Sequence, residues 1–232
     1  VGGRPVLWHI MKFYSHHGYN EFVLCLGYQG DVIKEYFFNY MLHNHDLTVH
    51  LGRENKVEIH NETYAEDWAV TLVETGEHEL KGARIKKIES HIDGDDFMLT
   101  YGDGLSDIDL NKLSRFHNDH GKIATVTGVS PRSSYGQIHA ENGRVLEFNE
   151  KPQISQGLVN GGFFMFKRQL FDYLTLDQEC DFEIGPLERL TQDGQLMVYQ
   201  HFGNWACMDT YRDTIDLNRM WDTERAFWRI WE

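Results

Sequence analysis

Cysteine and proline are scarce in this chain, with three of the first and four of the second among 232 residues. Cys25, Cys180 and Cys207 are odd in number, widely spaced and free of any C-x-x-C pair. That excludes a disulfide framework and a thiolate zinc site of the usual spacing, and makes a reducing cytoplasm the expected home. No Pro/Ser-rich linker, low-complexity tract or internal repeat interrupts the chain, so a single domain over residues 1–232 is expected. Long apolar runs are also missing. Stretches such as Phe163 to Phe166 fall far below the ~20 residues of a membrane-spanning helix. The N-terminal residues do not combine a basic region, an apolar stretch and a small-residue cleavage site, so no secretory leader is expected. Cations are few: 22 Lys and Arg stand against 36 Asp and Glu, a net charge of −14. Nucleic-acid polymers are therefore unexpected partners, because binding them needs Lys and Arg to release counterions. A small phosphate ligand needs only local cations and a metal, and stays open.

What is present is core-forming. The chain is 41% hydrophobic and 13% aromatic, more than a disordered polymer carries. Helical and strand periods alternate along it, the pattern of an α/β fold. Helical spacing is read over Pro5–His17, Asp31–His43, Gly82–Ile92, Asp109–His120, Arg168–Leu174, Phe182–Asp193 and, for the most part, Thr210–Trp228. Strands are expected at Glu21–Leu26, Leu47–Leu51, Lys56–His60, Val70–Glu74, Asp96–Thr100, Lys122–Val129, Phe163–Phe166 and Met197–His201. Gln137–His139 and Arg144–Asn149 flank an Asn142-Gly143 hairpin turn. The 13 histidines, including His16-His17 and His43/His45, lack the i,i+4 spacing of a helical ligand pair and read as solvated.

Five stretches can carry chemistry. Tyr101-Gly102-Asp103-Gly104 follows a strand, and ligands of open α/β sheets collect at strand carboxyl ends. Asp103 offers a hard oxygen donor suited to Mg²⁺; a plain polar turn is the other reading. Glu150-Lys151-Pro152 pairs an acceptor for sugar hydroxyls with an ammonium for phosphate, or forms an exposed ion-pair edge. Asn160-Gly161-Gly162 suits a sugar ring or an ordinary turn. Asp209, in the Trp205–Thr210 stretch, can share a metal with Asp103 or cap the next helix. Thr75-Gly76 can present backbone groups to a base edge with Arg84 on the helix that follows, or be a surface turn. Asp107-Ile108-Asp109 spells the D-x-D of metal-dependent glycosyltransferases, but lies in a turn into a helix.

These stretches occur in one recognisable order. GGRPVLWHIMKFYSHHG (2–18), LGYQGDVIKEYF (26–37), TLVETG (71–76), LTYGDGLSDIDL (99–110), FNEKP (148–152), VNGGFFMF (159–166), MDTYRD (208–213) and WRIWE (228–232) together resemble the sugar-nucleotide pyrophosphorylases, in particular their cytidylyl-transferring branch, over essentially the whole chain. The resemblance implies a Rossmann-like, three-layer nucleotidyltransferase fold with a mixed, mostly parallel sheet. It implies transfer of a cytidylyl group from CTP to α-D-glucose 1-phosphate, feeding polysaccharide biosynthesis. By position, Asp103 and Asp209 match the Mg²⁺ carboxylates, and Glu150 and Lys151 the sugar-hydroxyl acceptor and the phosphate-neutralising lysine. Asn160 and Gly136 match hexose contacts; Thr75, Gly76, Arg84 and Gly102 match the cytidine site. The family also has a G-G-x-G-T-R phosphate loop ahead of the G-G-R-P match. The residues at hand start at Val1-Gly2-Gly3-Arg4-Pro5, so the expectation is a fragment of a longer protein, impaired by itself. A UTP- or dTTP-using sister enzyme and a non-catalytic sugar-nucleotide-binding protein are the alternatives. The aromatic C-terminus (Trp221, Phe227, Trp228, Trp231) fits either an interface between copies or packing on its own domain.

Overall fold

The structure, a computed structural model, describes residues 1–52, 56–60, 66–130, 137–149 and 157–231. The first elements are α1 (Val6–His16), β1 (Glu21–Leu26), α2 (Gly30–Phe38), α3 (Tyr40–Asn44), β2 (Asp46–His50), β3 (Lys56–His60), β4 (Ala69–Glu74) and α4 (Lys81–Lys87). Then come β5 (Asp96–Thr100), β6 (Gly104–Ser106), α5 (Leu110–His120), β7 (Ala124–Val129), β8 (Gln137–Glu141), β9 (Arg144–Asn149) and β10 (Val159–Lys167). The chain continues with α6 (Glu188–Gln192), β11 (Leu196–His201), β12 (Trp205–Cys207) and α7 (Tyr211–Asp222). It divides into two compact units, one of Val1–Gly18, Gly94–Tyr173 and Leu187–Glu232, the other of Tyr19–Asp93 with Leu174–Pro186.

The first unit is built on a four-stranded sheet ordered β11-β7-β10-β5. β10 runs antiparallel to β5 and β7, and β11 runs parallel to β7. Three strands thus share a direction and one opposes them, the mixed sheet expected. The apolar run Phe163–Phe166 is buried on both faces of β10, as a central strand requires. Tyr14 and Phe13 of α1 lie against Phe163, at ring distances of 6.2 Å. The C-terminal aromatics pack on the same helix. Trp221 meets the His9 ring edge-on at 4.7 Å, Trp231 meets Trp8 at 6.1 Å, and buried Trp228 points its indole N–H at His9 Nδ1, 3.4 Å away.

In the second unit β1 and β4 pair in parallel and β2 and β3 form a ribbon. The helix expected over 31–43 is broken at Asn39, whose N–H closes α2 onto Glu35 O. Asn favours such caps over helix interiors. The expected helix over 182–193 is likewise cut back to α6, because Ile184 is extended and Gly185 has φ +105° ahead of Pro186. A residue before proline avoids the helical region. The hairpin turn sits where expected, with Asn142 at φ +48° and Gly143 at φ +80°.

One polar chain runs through the core of the first unit. The Lys122 N–H donates to His120 Nδ1 (2.9 Å), and His120 Nε2 and His117 Nδ1 each lie 2.7 Å from Thr125 Oγ1. Since His120 Nδ1 accepts, its Nε2 carries the proton and donates to Thr125, whose hydroxyl then donates to His117 Nδ1. Both rings are neutral in this order. His117 is fully buried, and its Nε2 has no hydrogen-bond partner among the described residues, Asp96 Oδ1 being 3.9 Å away. Burial, with His120 and Lys167 nearby and only partly offset by Asp96, pushes its pKa down to about 4. The unfolded state then binds more protons between pH 6.5 and 4. The stability His117 contributes is complete above 6.5 and lost as pH falls toward 4, by up to about 1.4 kcal/mol per unit. The urea midpoint should drop across that window, and drop less in His117→Gln; parallel declines in the two proteins would assign the effect to another group.

Candidate active site

Two strands too short to show a period create the site in the first unit. β6 and β12 pair antiparallel with Gly104 opposite Cys207, and the Met208 N–H carries the ladder on to Asp103 O at 3.0 Å. That register sets Asp103 beside the chain that leads into α7. Asp209 does not cap the helix. Thr210 does, accepting from the Asp213 N–H (3.3 Å) while the Asp213 carboxylate accepts from Thr210 N (2.8 Å), a reciprocal capping box. The Asp209 carboxylate is thereby turned to Asp103. Ligand atoms of Asp103, Cys207 and Asp209 all lie within 4.8 Å of one another, and this is the one such His/Cys/Asp/Glu group among the described residues. Burial, a hydrogen bond to Asp209 and the two carboxylates push the Cys207 thiol up to about 12, so it stays protonated at neutral pH.

Gly161 and Gly162 shape the adjacent strand. A Cβ on Gly161 would lie 2.8 Å from Val129 Cγ1 and 3.1 Å from Thr127 O, and Gly162 has φ +76° where β10 shifts register. Trp205 Nε1 donates to Gly161 O (2.8 Å), joining β12 to this bulge. Asn160 Oδ1 accepts from Gly162 N (2.9 Å) and its Nδ2 faces the Tyr101 hydroxyl at 3.4 Å. Gly102 is exposed, and a Cβ there would touch nothing among the described residues.

In the second unit a turn is fastened by two cations. Buried Thr75 donates from Oγ1 to Leu26 O (2.7 Å). Arg84 gives Nη1 to Thr75 Oγ1 (3.0 Å) and Leu26 O (3.2 Å), Nε to Glu79 O (2.9 Å) and Nη2 to Glu77 O (3.1 Å). Lys87 Nζ donates to Thr75 O (2.7 Å) and pairs with Glu79 Oε1 (2.5 Å), which holds the Glu79 carboxyl below its usual value. Gly76, at φ +104°, is the turn residue.

A family model described as Nucleotidyl transferase matches residues 1–226. The chain belongs to the nucleotidyl transferase family. A glucose-1-phosphate cytidylyltransferase of Salmonella typhi is 43% identical over 233 residues, covering 100% of this chain and 90% of that protein. A probable glucose-1-phosphate cytidylyltransferase of Bacillus subtilis (strain 168) is 42% identical over 231 residues, covering 100% of this chain and 89% of that one. Among solved structures, HddC from Yersinia pseudotuberculosis complexed with GMP-PN aligns with a TM-score of 0.68 over 95% of this chain and 87% of its own, at 17% identity, a likeness of fold.

For this nucleotidyltransferase, the expected pair Asp103 and Asp209 does come together. Asn160 and Gly102 are in the same unit; Thr75, Gly76 and Arg84 cluster in the other. Gly136, Glu150 and Lys151 lie outside the described residues. The glycosyltransferase spelling dissolves, because Asp107 accepts from Asn204 N (2.8 Å) and Nδ2 (2.7 Å) and sits 2.9 Å from His201 Nε2, while Asp109 caps α5 through Lys112 N (3.0 Å). Lys87, Glu79 and Cys207 were not picked out from the sequence. Cys207 reaches the Asp103 carboxylate through the β6–β12 pairing, a contact between residues about a hundred positions apart in the chain. Gly161→Ala should cost about 1–3 kcal/mol by overpacking against Val129 and Thr127, read as a lower urea midpoint; an unchanged midpoint would show that the close approach has slack.

Proposed function

We propose that the protein transfers the cytidylyl group of CTP to α-D-glucose 1-phosphate, forming CDP-glucose and pyrophosphate. The full-length 43% identity to a glucose-1-phosphate cytidylyltransferase carries this reading, and the Asp103–Asp209 juxtaposition supports it. Because the family match runs through both units, we read them as parts of one nucleotidyltransferase domain. The three free thiols fit work in a reducing cytoplasm.

The donor set suits Mg²⁺: the two carboxylate oxygens form a hard pair that water and substrate phosphates complete. Asp103 and Asp209 would hold the ion, which there supplies charge neutralisation for the phosphates. A phosphate oxygen of glucose 1-phosphate attacks the α-phosphorus of CTP, and pyrophosphate leaves with the electron pair of the broken bond. Such chemistry rests on positioning and charge, with little need for a general base. Lys151 offsets the repulsion between the two anions, and Glu150 accepts from sugar hydroxyls; both roles rest on the FNEKP match. Asn160 offers its amide N–H and Gly136 its backbone to the hexose. Gly102 gives the nucleotide an open backbone approach. Gly76 offers its backbone to the cytosine, and buried Thr75 ties that turn to Leu26. Arg84, with most of its donors spent on that turn, acts on the nucleotide by holding the turn in shape.

With the intact protein, CTP alone among CTP, UTP and dTTP should be turned over at low concentration, followed by pyrophosphate release. Comparable kcat/KM with UTP or dTTP would transfer the reading to a sister enzyme, and no product with any of the three would favour a binding protein. Asp103→Asn should lower kcat on the order of 10²-fold while calorimetry finds CDP-glucose affinity nearly normal. Unchanged turnover in that variant would remove the metal role.

A further inference from the structure

We propose that Cys207 makes this metal site a double one: hard ions bind through Asp103 and Asp209 alone, whereas thiophilic ions such as Cd²⁺ or Zn²⁺ recruit the Cys207 sulfur as a third ligand. The proposal rests on the Mg²⁺ reading above and extends it to a class of ion that reading does not include. Its ground is geometric. Sγ of Cys207 and one oxygen from each carboxylate are mutually within 4.8 Å, a spread that one ion at ordinary Zn–S and Zn–O bond lengths spans with modest side-chain rotation. The backbone is fixed on both sides, by the Gly104–Cys207 register and by the Thr210–Asp213 capping box. Thiolate, imidazole and carboxylate sites differ in softness, and a sulfur beside two oxygens shifts preference from Mg²⁺ toward thiophilic ions.

The step balances simply. The Sγ–H bond breaks, its proton passes to solvent or buffer, and the sulfur lone pair forms the bond to the incoming Cd²⁺, with no change in oxidation state. A soft ion so held blocks Mg²⁺, which gives this chain a sensitivity to thiophilic metals that two carboxylates by themselves would lack.

The test is Cd²⁺ titration of the intact protein under reducing conditions, followed by ultraviolet thiolate-to-metal charge-transfer absorbance and by calorimetry. One equivalent of Cd²⁺ should produce the band, and Mg²⁺ in excess should suppress it. In Cys207→Ser the band should vanish and Cd²⁺ affinity fall by about tenfold or more, with Mg²⁺ affinity held within about twofold. The Cys25→Ser/Cys180→Ser protein should keep the band, which assigns it to residue 207 and serves as the readout should Cys207→Ser fold poorly. No band in the wild-type protein, a band that needs Cys25 or Cys180, or equal Cd²⁺ affinity in wild type and Cys207→Ser would overturn the proposal. The underlying reading fails separately: it falls if Asp103→Asn leaves Mg²⁺ affinity unchanged, whatever Cd²⁺ does.

Discussion

The candidate site depends on a three-residue antiparallel pairing. Gly104 opposite Cys207, extended by the Met208 N–H to Asp103 O, is what joins two loops that are far apart in the chain. Without that ladder Asp103 would end a strand with no second carboxylate beside it. Two like charges at this separation repel, so the arrangement is held against electrostatics by backbone hydrogen bonds and by the packing of Leu105 and Ser106, both buried. A cation between the carboxylates relieves that repulsion, which is the physical sense of the proposed metal role.

Local capping reinforces the same end. Thr210 and Asp213 satisfy the first turn of α7 between themselves, and this frees Asp209 from a task its residue type commonly performs. Asp107 and Asp109 show the opposite outcome. They look equally reactive in the sequence, yet Asp107 is consumed by Asn204 and His201 and Asp109 by α5. In a chain so rich in carboxylates, hydrogen-bond commitments separate structural acids from available ones.

The second unit applies similar logic to cations. Arg84 and Lys87 converge on the Thr75–Gly76 turn, and most of their donors go to backbone carbonyls. A buried threonine hydroxyl and carbonyl are costly to leave without such partners. A basic residue near a proposed nucleotide site therefore need not touch the nucleotide to matter for it. Stiffening the peptide groups that do the reading is enough.

Periodicity and turn chemistry determined much of this protein in advance. The buried run on β10, the helix near residues 109–120, the Asn142-Gly143 hairpin and the alternation of helix and strand were legible, because each depends on neighbours a few residues away. So were Asp103 and Asp209 as two carboxylates that meet, and the nucleotidyltransferase pattern of motifs. The tertiary structure alone decided the break at Asn39, the β6–β12 pairing, the choice of Thr210 over Asp209 as the cap, the commitment of Arg84 to a turn and the place of Cys207 among the carboxylates. These are contacts between residues distant in sequence or between competing hydrogen-bond partners. Their free energies depend on where the backbone has already been brought, a quantity that no local pattern encodes.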